Sequence, residues 1–410
     1  MTTATPEETR ERPRGLAALK EALDRPLTPY YLLLGCTALL LTIGLIMVLS
    51  ASSVISYKTT HNSYAIVERQ LIWVAIGIPL AYVASRMPQA TLRRLTVVGM
   101  LGSIVLLAAV QVPGLGKIVN GQKNWLNLGP LSMQPSELAK LALILWAANV
   151  YANKERRLGE LHHVFMPVVP GALLVVGLVL LERDLGTALV FMAILLSLLW
   201  VVGAPAKLFG LALSVVGVSA FFLATTSSER RGRLLSFTNP FKDYLGDGWQ
   251  AAHGLLGLSS GGIFGKGIGA SQQKWGTLPE SYTDYIFAVL GEELGLIGTL
   301  FVLCLFATIA WSAVRIASQT RDPFVRYVSF GVMVWLLGQA IVNIGMVLSL
   351  LPVIGIPLPL VSYGGSALLP SLIALGILIG FARREPEAAA ALAARKRNRP
   401  ARPAKQSRGL

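Results

Sequence analysis

Ten stretches of mostly apolar residues, each about long enough to cross a lipid bilayer, constrain this chain more than any other feature. Charged residues make up only 14% of it and hydrophobic residues 54%, which excludes a soluble enzyme, a disordered chain and a disulfide scaffold. We predict an all-α, polytopic integral membrane protein with ten transmembrane helices. The candidate spans are roughly 29–50, 69–87, 94–113, 136–152, 164–182, 186–203, 206–226, 285–312, 327–350 and 366–383.

The distribution of basic residues predicts the orientation of these spans. Ten spans place both termini on one side, and the positive-inside rule makes that side cytoplasmic, because most of the 36 Lys and Arg residues then lie there. The chain divides into a cytoplasmic N-terminal tail (1–28), a ten-helix domain (29–384) and a basic cytoplasmic tail (385–410). A large outer loop, about 227–284, joins helices seven and eight. The basic tail is better explained by anionic lipid than by nucleic acid, so we expect no nucleic-acid partner.

Polar motifs gather at predicted helix starts on the outer face. They are Gly121–Trp125, Gln134–Glu137, Asp184–Thr187, Thr283–Asp284 and Ser362–Ser366. Helix N-termini favour anions, so these motifs would form a phosphate or pyrophosphate site if they converged. Each motif also has a simpler interpretation, since Asp and Ser are favoured N-caps. The residues with that alternative are Asp184, Asp284, Ser136 and Ser366.

Two charged residues interrupt the fourth span. Glu137 and Lys140 stand three residues apart on one helix face, which favours a structural ion pair inside the protein over a charged cavity lining. Trp125 is either an interfacial aromatic or a contact for a sugar or lipid. The residues themselves leave that choice open.

A glycine-rich segment, 261–269 (GGIFGKGIG), lies in the outer loop. It fails the nucleotide phosphate-loop pattern, because Ser260 occupies the first Gly position and Gly267 the last. A hairpin at the membrane interface is the simpler interpretation. A backbone cradle that places Lys266 near a lipid-linked phosphate is the alternative. No histidine cluster indicates a zinc site, and the sequence identifies no metal ligands.

Five motifs in order give the chain a specific resemblance. It resembles the SEDS family (shape, elongation, division and sporulation) of bacterial cell-wall proteins, to which FtsW and RodA belong. The resemblance covers about 29–384 and includes the expected ten spans with both ends inside. The matching segments are GQKNWLNLGPLSMQPSELAK (121–140), DLGTAL (184–189), GGIFGKGIG (261–269), LPESYTDYIFAVLGEELGLIG (278–298) and NIGMVLSLLPVIGIPLPLVSYGGSALLPS (343–371).

The resemblance implies a peptidoglycan glycosyltransferase that joins lipid II units at the outer membrane face. The acceptor's GlcNAc 4-hydroxyl would attack the donor's anomeric carbon and displace undecaprenyl pyrophosphate, which inverts the α-linked donor to a β-1,4 product. The family's essential aspartate falls on Asp284, which would serve as general base. We expect the helix N-terminus to favour its ionised form. Positively placed groups, or a divalent cation, would offset charge on the leaving group; no cofactor is certain.

The same resemblance assigns further residues to the substrate. Trp125, Asp184 and Ser366 align with motif positions and are expected to bind substrate, together with Lys266. Asn124 stands where the family commonly has an arginine, and Lys123 and Arg183 are the candidates to supply the missing cation.

The extended basic tail and the last motif favour the division branch of the family over the elongation branch. We therefore expect a multi-pass protein of the bacterial cytoplasmic membrane, located at the division septum. Its expected partners are lipid II, a class B penicillin-binding protein (a transpeptidase) and divisome activator proteins. An elongation polymerase, a lipid II flippase and a non-catalytic membrane scaffold are the alternatives.

Overall fold

A computed structural model describes residues 16–119, 121–128, 131–225, 239–246 and 248–397. The predicted N-terminal tail, outer loop and C-terminal tail each extend beyond these ranges. Those predictions therefore lie partly outside the described residues.

Helices dominate the described part of the chain, since a helix satisfies its own backbone hydrogen bonds where lipid offers no partners. The longer elements also carry the apolar runs found in the sequence. In chain order they are α1 (Leu16–Asp24), α2 (Thr28–Thr60), α3 (Ala65–Arg86), α4 (Gln89–Gln111), β1 (Gly116–Val119), β2 (Gln122–Leu128), β3 (Leu131–Met133), α5 (Pro135–Asn153), α6 (Leu161–Phe165), α7 (Val168–Leu181), α8 (Leu185–Val202), α9 (Ala206–Thr225), α10 (Trp249–Gly261), α11 (Ile286–Gln319), α12 (Pro323–Val347), α13 (Gly365–Arg384) and α14 (Pro386–Arg397).

A helix occupies every one of the ten predicted spans. Among the described residues, eight helical segments are long and apolar enough to cross a membrane, with α6 and α7 counted as one segment. The two predicted spans that fall outside this set are α5 and α9. The prediction of a helical, multi-pass membrane protein is confirmed, whereas the number ten stays a prediction.

The segment between α4 and α5 departs from the all-helical expectation. It forms a three-stranded antiparallel sheet in the order β1-β2-β3. Gly121 turns the chain between the first two strands with a φ of 76°, a value that favours glycine. The sheet places Lys117 opposite Trp125, so Trp125 stands on the middle strand of this sheet.

The eighth predicted span is not continuous. Gly295 has φ 68° and ψ −166° inside α11, which breaks the helix after its first nine residues. The glycine-rich segment docks at the break: the amides of Lys266 and Gly267 donate to the carbonyls of Glu292 and Glu293, at 3.0 Å each. Beyond the break, the amide of Leu296 donates to the carbonyl of Gly262 at 2.9 Å. The hairpin therefore satisfies backbone groups that the break leaves free.

Close packing between helices of the bundle fixes the positions of the helix ends that carry the predicted site residues. A Cβ at Gly376 of α13 would lie 2.3 Å from the carbonyl oxygen of Ala81 on α3, so these two backbones are in direct contact. At the outer end, a Cβ at Gly186 of α8 would lie 2.5 Å from Ile354. The segment that carries Ile354 thus rests on the start of α8 and next to the start of α11.

Candidate active site

The backbone around Asp284 is held by three separate groups. The amide of Tyr363 donates to the carbonyl of Tyr282 at 3.0 Å, and the Ser362 hydroxyl donates to the carbonyl of Thr283 at 2.6 Å. Asn343 Nδ2 donates to the carbonyl of Asp284 itself at 2.7 Å. Three consecutive carbonyls are thus fixed by α12 and by the segment before α13.

Unlike these backbone carbonyls, the side chain of Asp284 does not hold the segment in place. The N-cap of α11 is Tyr285, and no side chain caps this helix. Within the described part of the chain, the Asp284 carboxylate accepts no hydrogen bond from protein. Its Oδ2 lies 3.4 Å from the position a Cβ would take at Gly355, so this carboxylate rests against a bare backbone turn. A fixed backbone that carries an unengaged carboxylate is an arrangement suited to a base that receives a substrate proton.

The surroundings of Asp284 favour its neutral form. Burial, followed by the charges of Glu280 and Asp184, raises the pKa of the Asp284 carboxyl from 3.8 to about 7. We expected the helix N-terminus to favour the charged form, and these two effects outweigh it. A base with a pKa near the working pH is well matched to proton transfer, because it can both accept and release the proton.

Asp184 caps the start of α8, whereas Asp284 does not cap α11. Its Oδ1 accepts the amide of Thr187 at 2.9 Å and its Oδ2 accepts the Thr187 hydroxyl at 2.9 Å. Its Oδ2 also accepts the side-chain amides of Asn124 at 3.1 Å and Gln134 at 3.2 Å. Asp184 is buried and joins β2, the start of α5 and α8. A residue expected to bind substrate is therefore occupied by structural hydrogen bonds, and its charge acts on Asp284 from nearby.

The acidic residues here do not form an evident metal site. Glu182 is fully buried, and neither of its carboxylate oxygens has a hydrogen-bond partner among the described residues. Burial and the charge of Asp184 raise its pKa to about 9, so it is neutral at pH 7. Among the described residues, no three His, Cys, Asp or Glu side chains are placed to hold a metal ion together. The free carboxylate of Asp284 can contribute one ligand, but the described residues present no complete ligand set around it.

A pocket of about 140 Å³ brings together two residues predicted from separate motifs. Trp125 of β2 and Ser366 of α13 both line it, with Trp73, Tyr363 and Arg69. Arg69 is exposed and forms no ion pair with any carboxylate in the described ranges. The pocket therefore combines aromatic walls, a free cation and the N-terminus of α13, a combination that fits a sugar joined to a phosphate.

The pocket and Asp284 belong to one assembly. The rings of Tyr363 and Tyr282 are 5.7 Å apart, and the backbone of Tyr363 binds that of Tyr282. Gln70, next to Arg69 on α3, accepts the amide of Gly364 at 3.2 Å and donates to the carbonyl of Ser362 at 3.3 Å. The start of α13 is therefore tied both to α3 and to the segment that carries Asp284.

Two predicted substrate lysines are engaged elsewhere. Lys123 Nζ donates to the carbonyl of Gln111 at 2.8 Å, at the end of α4. Lys266 Nζ lies 2.8 Å from Glu292 Oε1 and neutralises a fully buried carboxylate. Arg69 is the cation that lines the Trp125 pocket, and neither Lys123 nor Lys266 lines it.

Glu137 and Lys140 form an ion pair inside the helix bundle. Lys140 Nζ lies 2.8 Å from Glu137 Oε1 and 5.7 Å from the centre of the Trp335 ring. Both side chains are buried, which is why charges are tolerated in α5. The pair connects α5 to α12 without lining the Trp125 pocket.

Three residues of the site were missed by sequence reasoning. Arg69 and Trp73 are four residues apart on α3, so a cation and an aromatic share one helix face at an outer helix end; that spacing was a usable signal. Asn343 gave no such signal, because a buried amide in an apolar helix is recognisable only once its partners are known.

Comparison with known proteins places the chain among bacterial cell-wall proteins. The family model described as "Cell cycle protein" (FtsW/RodA/SpoVE) matches residues 30–386. The probable peptidoglycan glycosyltransferase FtsW of Mycobacterium tuberculosis is 42% identical over 372 residues, which cover 91% of this chain and 71% of the relative. The stage V sporulation protein E of Bacillus subtilis is 37% identical over 87% of this chain and 97% of the relative.

Solved structures give the same picture of the fold. A chain from a structure described as "Structural coordination of polymerization and crosslinking by a peptidoglycan synthase complex" is 28% identical with a TM-score of 0.69, covering 86% of this chain and 97% of that one. The rod shape determining protein RodA of Thermus thermophilus is 28% identical with a TM-score of 0.63, covering 86% of this chain and 96% of that protein.

Proposed function

The chain belongs to the FtsW/RodA/SpoVE family of cell cycle proteins, and we propose that it polymerises lipid II into β-1,4 glycan strands at the outer face of the membrane. It is a peptidoglycan glycosyltransferase, as its relatives are named. The observation that carries the proposal is the Asp284 carboxylate, which is fixed through its backbone and left without a protein hydrogen-bond donor among the described residues.

Asp284 would act on the acceptor sugar. Its carboxylate would accept the proton of the GlcNAc 4-hydroxyl while that oxygen attacks the anomeric carbon of the donor. The bond from that carbon to the pyrophosphate oxygen breaks, and undecaprenyl pyrophosphate leaves with the electron pair. Attack from the face opposite the leaving group inverts the α-linked donor to the β product.

The Trp125 pocket would hold the donor's sugar and phosphate portion. Its aromatic walls offer flat apolar surfaces to a sugar, and Arg69 with the start of α13 offers positive charge to the pyrophosphate. This arrangement supports the substrate roles predicted for Trp125 and Ser366. It gives Arg69 the charge-offsetting role for which sequence reasoning proposed Lys123, Arg183 or Lys266.

A divalent cation remains the other proposed source of positive charge. If it takes part, Asp284 would be one carboxylate able to approach it, and the lipid-linked pyrophosphate would have to supply further ligands. The cation would lower the cost of charge developing on the leaving group.

The biological setting is proposed from the relatives. We propose residence in the bacterial cytoplasmic membrane, action at the division septum and a class B penicillin-binding protein as transpeptidase partner. One similar solved chain comes from a peptidoglycan synthase complex, and several of the relatives carry the FtsW name. An elongation role and contacts with divisome activators are the finer alternatives that those names leave to experiment.

A flippase is the second candidate, and one observation bears on it. Transporters often use broken helices with charges near the bilayer midplane, and α11 is broken beside Glu292 and Glu293. Here, however, the glycine-rich hairpin closes the break, and Lys266 and Ser271 bind Glu292 at 2.8 and 2.6 Å. A break sealed by its own chain favours a structural role over transport.

The test is polymerisation of fluorescent lipid II by the full chain purified with its transpeptidase, with moenomycin present to silence polymerases of the other class. We expect long glycans that a muramidase digests, as the β-1,4 linkage requires. An intact complex that makes no polymer but moves labelled lipid II across vesicle membranes would support the flippase. Neither activity from an intact complex would support a scaffold.

A further inference from the structure

An apolar groove runs along the inner half of the bundle, far from the outer site. It lies between α2, α3 and α13 and has a volume of about 420 Å³. Its edges are open, since Leu34, Ile78 and Tyr82 are each about half exposed or more. We refer to it as the inner groove.

The wall of the inner groove is mostly apolar. Its hydroxyl-bearing residues are Tyr30, Thr37, Thr42, Tyr82 and Ser85. Three of these hydroxyls donate to carbonyls of their own helix: Thr37 to Leu33 at 2.6 Å, Thr42 to Ala38 at 2.9 Å and Ser85 to Tyr82 at 2.7 Å. The remaining wall is formed mainly by leucine, isoleucine and alanine side chains. Such a surface suits a hydrocarbon chain.

The groove has the depth of a single leaflet. On α3 it extends from Val74 to Arg86, which at 1.5 Å per residue is about 18 Å. Half of the hydrocarbon core is about 15 Å. A transmembrane helix of a partner would need the full thickness, so the length fits the tail of a lipid better than a helix.

Two cations stand at the cytoplasmic end of the groove. Arg86 ends α3 and lies 5.0 Å above the Tyr82 ring, and Arg383 is in the last turn of α13. Neither guanidinium pairs with a carboxylate in the described ranges. The neighbouring Arg384 differs, because it donates to the carbonyls of Ser85 and Met87 and so ties the ends of α3 and α13 together.

We propose that the inner groove binds an anionic glycerophospholipid of the inner leaflet. One acyl chain would lie along the apolar wall, and the head-group phosphate would meet Arg86 and Arg383. Each basic residue near an anionic head group adds a modest attraction, and the groove adds burial of the chain. General positive-inside charge does not explain the site, since it requires no groove beneath the arginines.

The site is joined physically to the outer pocket. The helices that form the groove at their inner ends, α3 and α13, carry Arg69, Trp73 and Ser366 at their outer ends. They touch through backbone along their length, as the contact between Gly376 and Ala81 shows. A bound lipid would therefore support the two helices that frame the outer pocket.

Native mass spectrometry of the full chain tests the proposal, with equal amounts of phosphatidylglycerol and phosphatidylcholine as probes. We expect one phosphatidylglycerol to be retained about tenfold better than phosphatidylcholine. The double variant Arg86→Gln/Arg383→Gln should lose that preference. The matched control Arg156→Gln/Arg157→Gln removes two exposed inner-face cations outside the groove and should keep it.

A second variant tests the groove itself. Ala38 lines the groove and is exposed, so Ala38→Trp should fill it and reduce retention of both lipids without touching the arginines. Equal retention of the two lipids by the unaltered chain would overturn the proposal. So would an equal loss in the Arg156/Arg157 control, or preferential retention of a polyprenyl phosphate over phosphatidylglycerol.

Discussion

Asp184 and Asp284 are the same residue type at the outer start of two helices, yet their side chains do different work. Asp184 accepts four hydrogen bonds and caps α8. Asp284 accepts none from the described residues, although its backbone carbonyl is fixed. Sequence alone favours a cap for either one, because an N-cap preference does not show which oxygen is already occupied.

The pH dependence of polymerisation should report the state of Asp284. Since its pKa lies near 7, the fraction in the basic form rises as the pH rises through that value. At pH 6 about a tenth of the carboxyl is ionised, so we expect the initial rate to be roughly tenfold below that at pH 8. Initial rates across pH 5.5–8.5 measure this, and a flat profile would contradict it.

Substitution of a neighbouring carboxylate provides a control for this pH–rate profile. The charge of Glu280 contributes to the raised pKa of Asp284, so Glu280→Gln should move the profile toward lower pH. Glutamine keeps an oxygen that can accept from the Thr283 hydroxyl, as Glu280 Oε2 does at 2.6 Å. An unchanged profile would mean that another group controls the rate.

The two aspartates should also differ in their effect on stability. Asp184→Ala removes a cap and leaves the amides of Asn124 and Gln134 without this acceptor, so we expect a loss of about 1–2 kcal/mol. Asp284→Asn should leave the melting temperature equal or slightly higher at pH 7.5, because it removes a carboxylate whose ionisation is disfavoured in the folded state. Thermal unfolding of both purified variants measures the difference; similar losses would mean that Asp284 is structural.

At the scale of elements, the glycine-rich hairpin and the broken helix form one unit. Gly265 has a φ of 79°, and a Cβ there would lie 2.2 Å from the carbonyl oxygen of Glu293. Gly295 is similarly constrained, with a Cβ position 2.3 Å from the amide nitrogen of Gly265. These glycines permit backbone contact, which explains the run that resembled a phosphate loop.

Gly265→Ala should therefore destabilise the outer region. The left-handed backbone conformation alone costs an alanine about 1–2 kcal/mol, and the clash with Glu293 adds to it. Gly99→Ala in α4 is the matched control, since no atom lies within 4 Å of its added Cβ. Melting temperatures of the two variants test this, and an equal small effect would show that the docking tolerates displacement.

Secondary structure was predicted correctly from the sequence where long apolar runs dominate it. The ten apolar runs each coincide with a helix, since a long apolar run in lipid has few other ways to satisfy its backbone. The sheet at 116–133 pairs neighbouring strands, but these are only four, seven and three residues long, so the sequence pattern for them is weak. The break at Gly295 was missed because it depends on contacts with a distant segment. The break can be recognised only from its hydrogen bonds with the 262–267 hairpin, which lies more than twenty residues earlier in the sequence.

At the scale of the whole molecule, the predicted orientation can be measured directly. In a Cys36→Ala/Cys304→Ala background, Lys117→Cys and Lys242→Cys should react with an impermeant thiol reagent from outside. Arg157→Cys and Lys207→Cys should react only after the membrane is opened. Lys117 and Arg157 flank α5, while Lys207 lies in the first turn of α9 and Lys242 follows that helix, so the pattern also decides whether these helices span. Reversed labelling would contradict the orientation.

Sequence analysis predicted the membrane class and the family of the whole molecule, whereas the roles of the site residues stay predictions. Membrane class and family followed from apolar runs and ordered motifs, and both are confirmed by the comparisons. Of the residues predicted to bind substrate, Trp125 and Ser366 line one pocket, whereas Lys123 and Lys266 make contacts elsewhere; their roles stay predictions. Sequence spacing could not reveal that a carbonyl and a buried glutamate already hold those two ammonium groups.

The most direct measurement is the polymerisation rate of Asp284→Asn with lipid II and the transpeptidase present. General-base catalysis contributes about 100-fold or more, so we expect at least that loss while folding and complex formation are retained. Asp322→Asn is the matched control, because Asp322 caps α12 just beyond the end of α11 that is opposite Asp284 and asparagine caps equally well. Polymer from the control and none from Asp284→Asn is the predicted result. Equal polymer from both variants would contradict the assignment of Asp284 as the base.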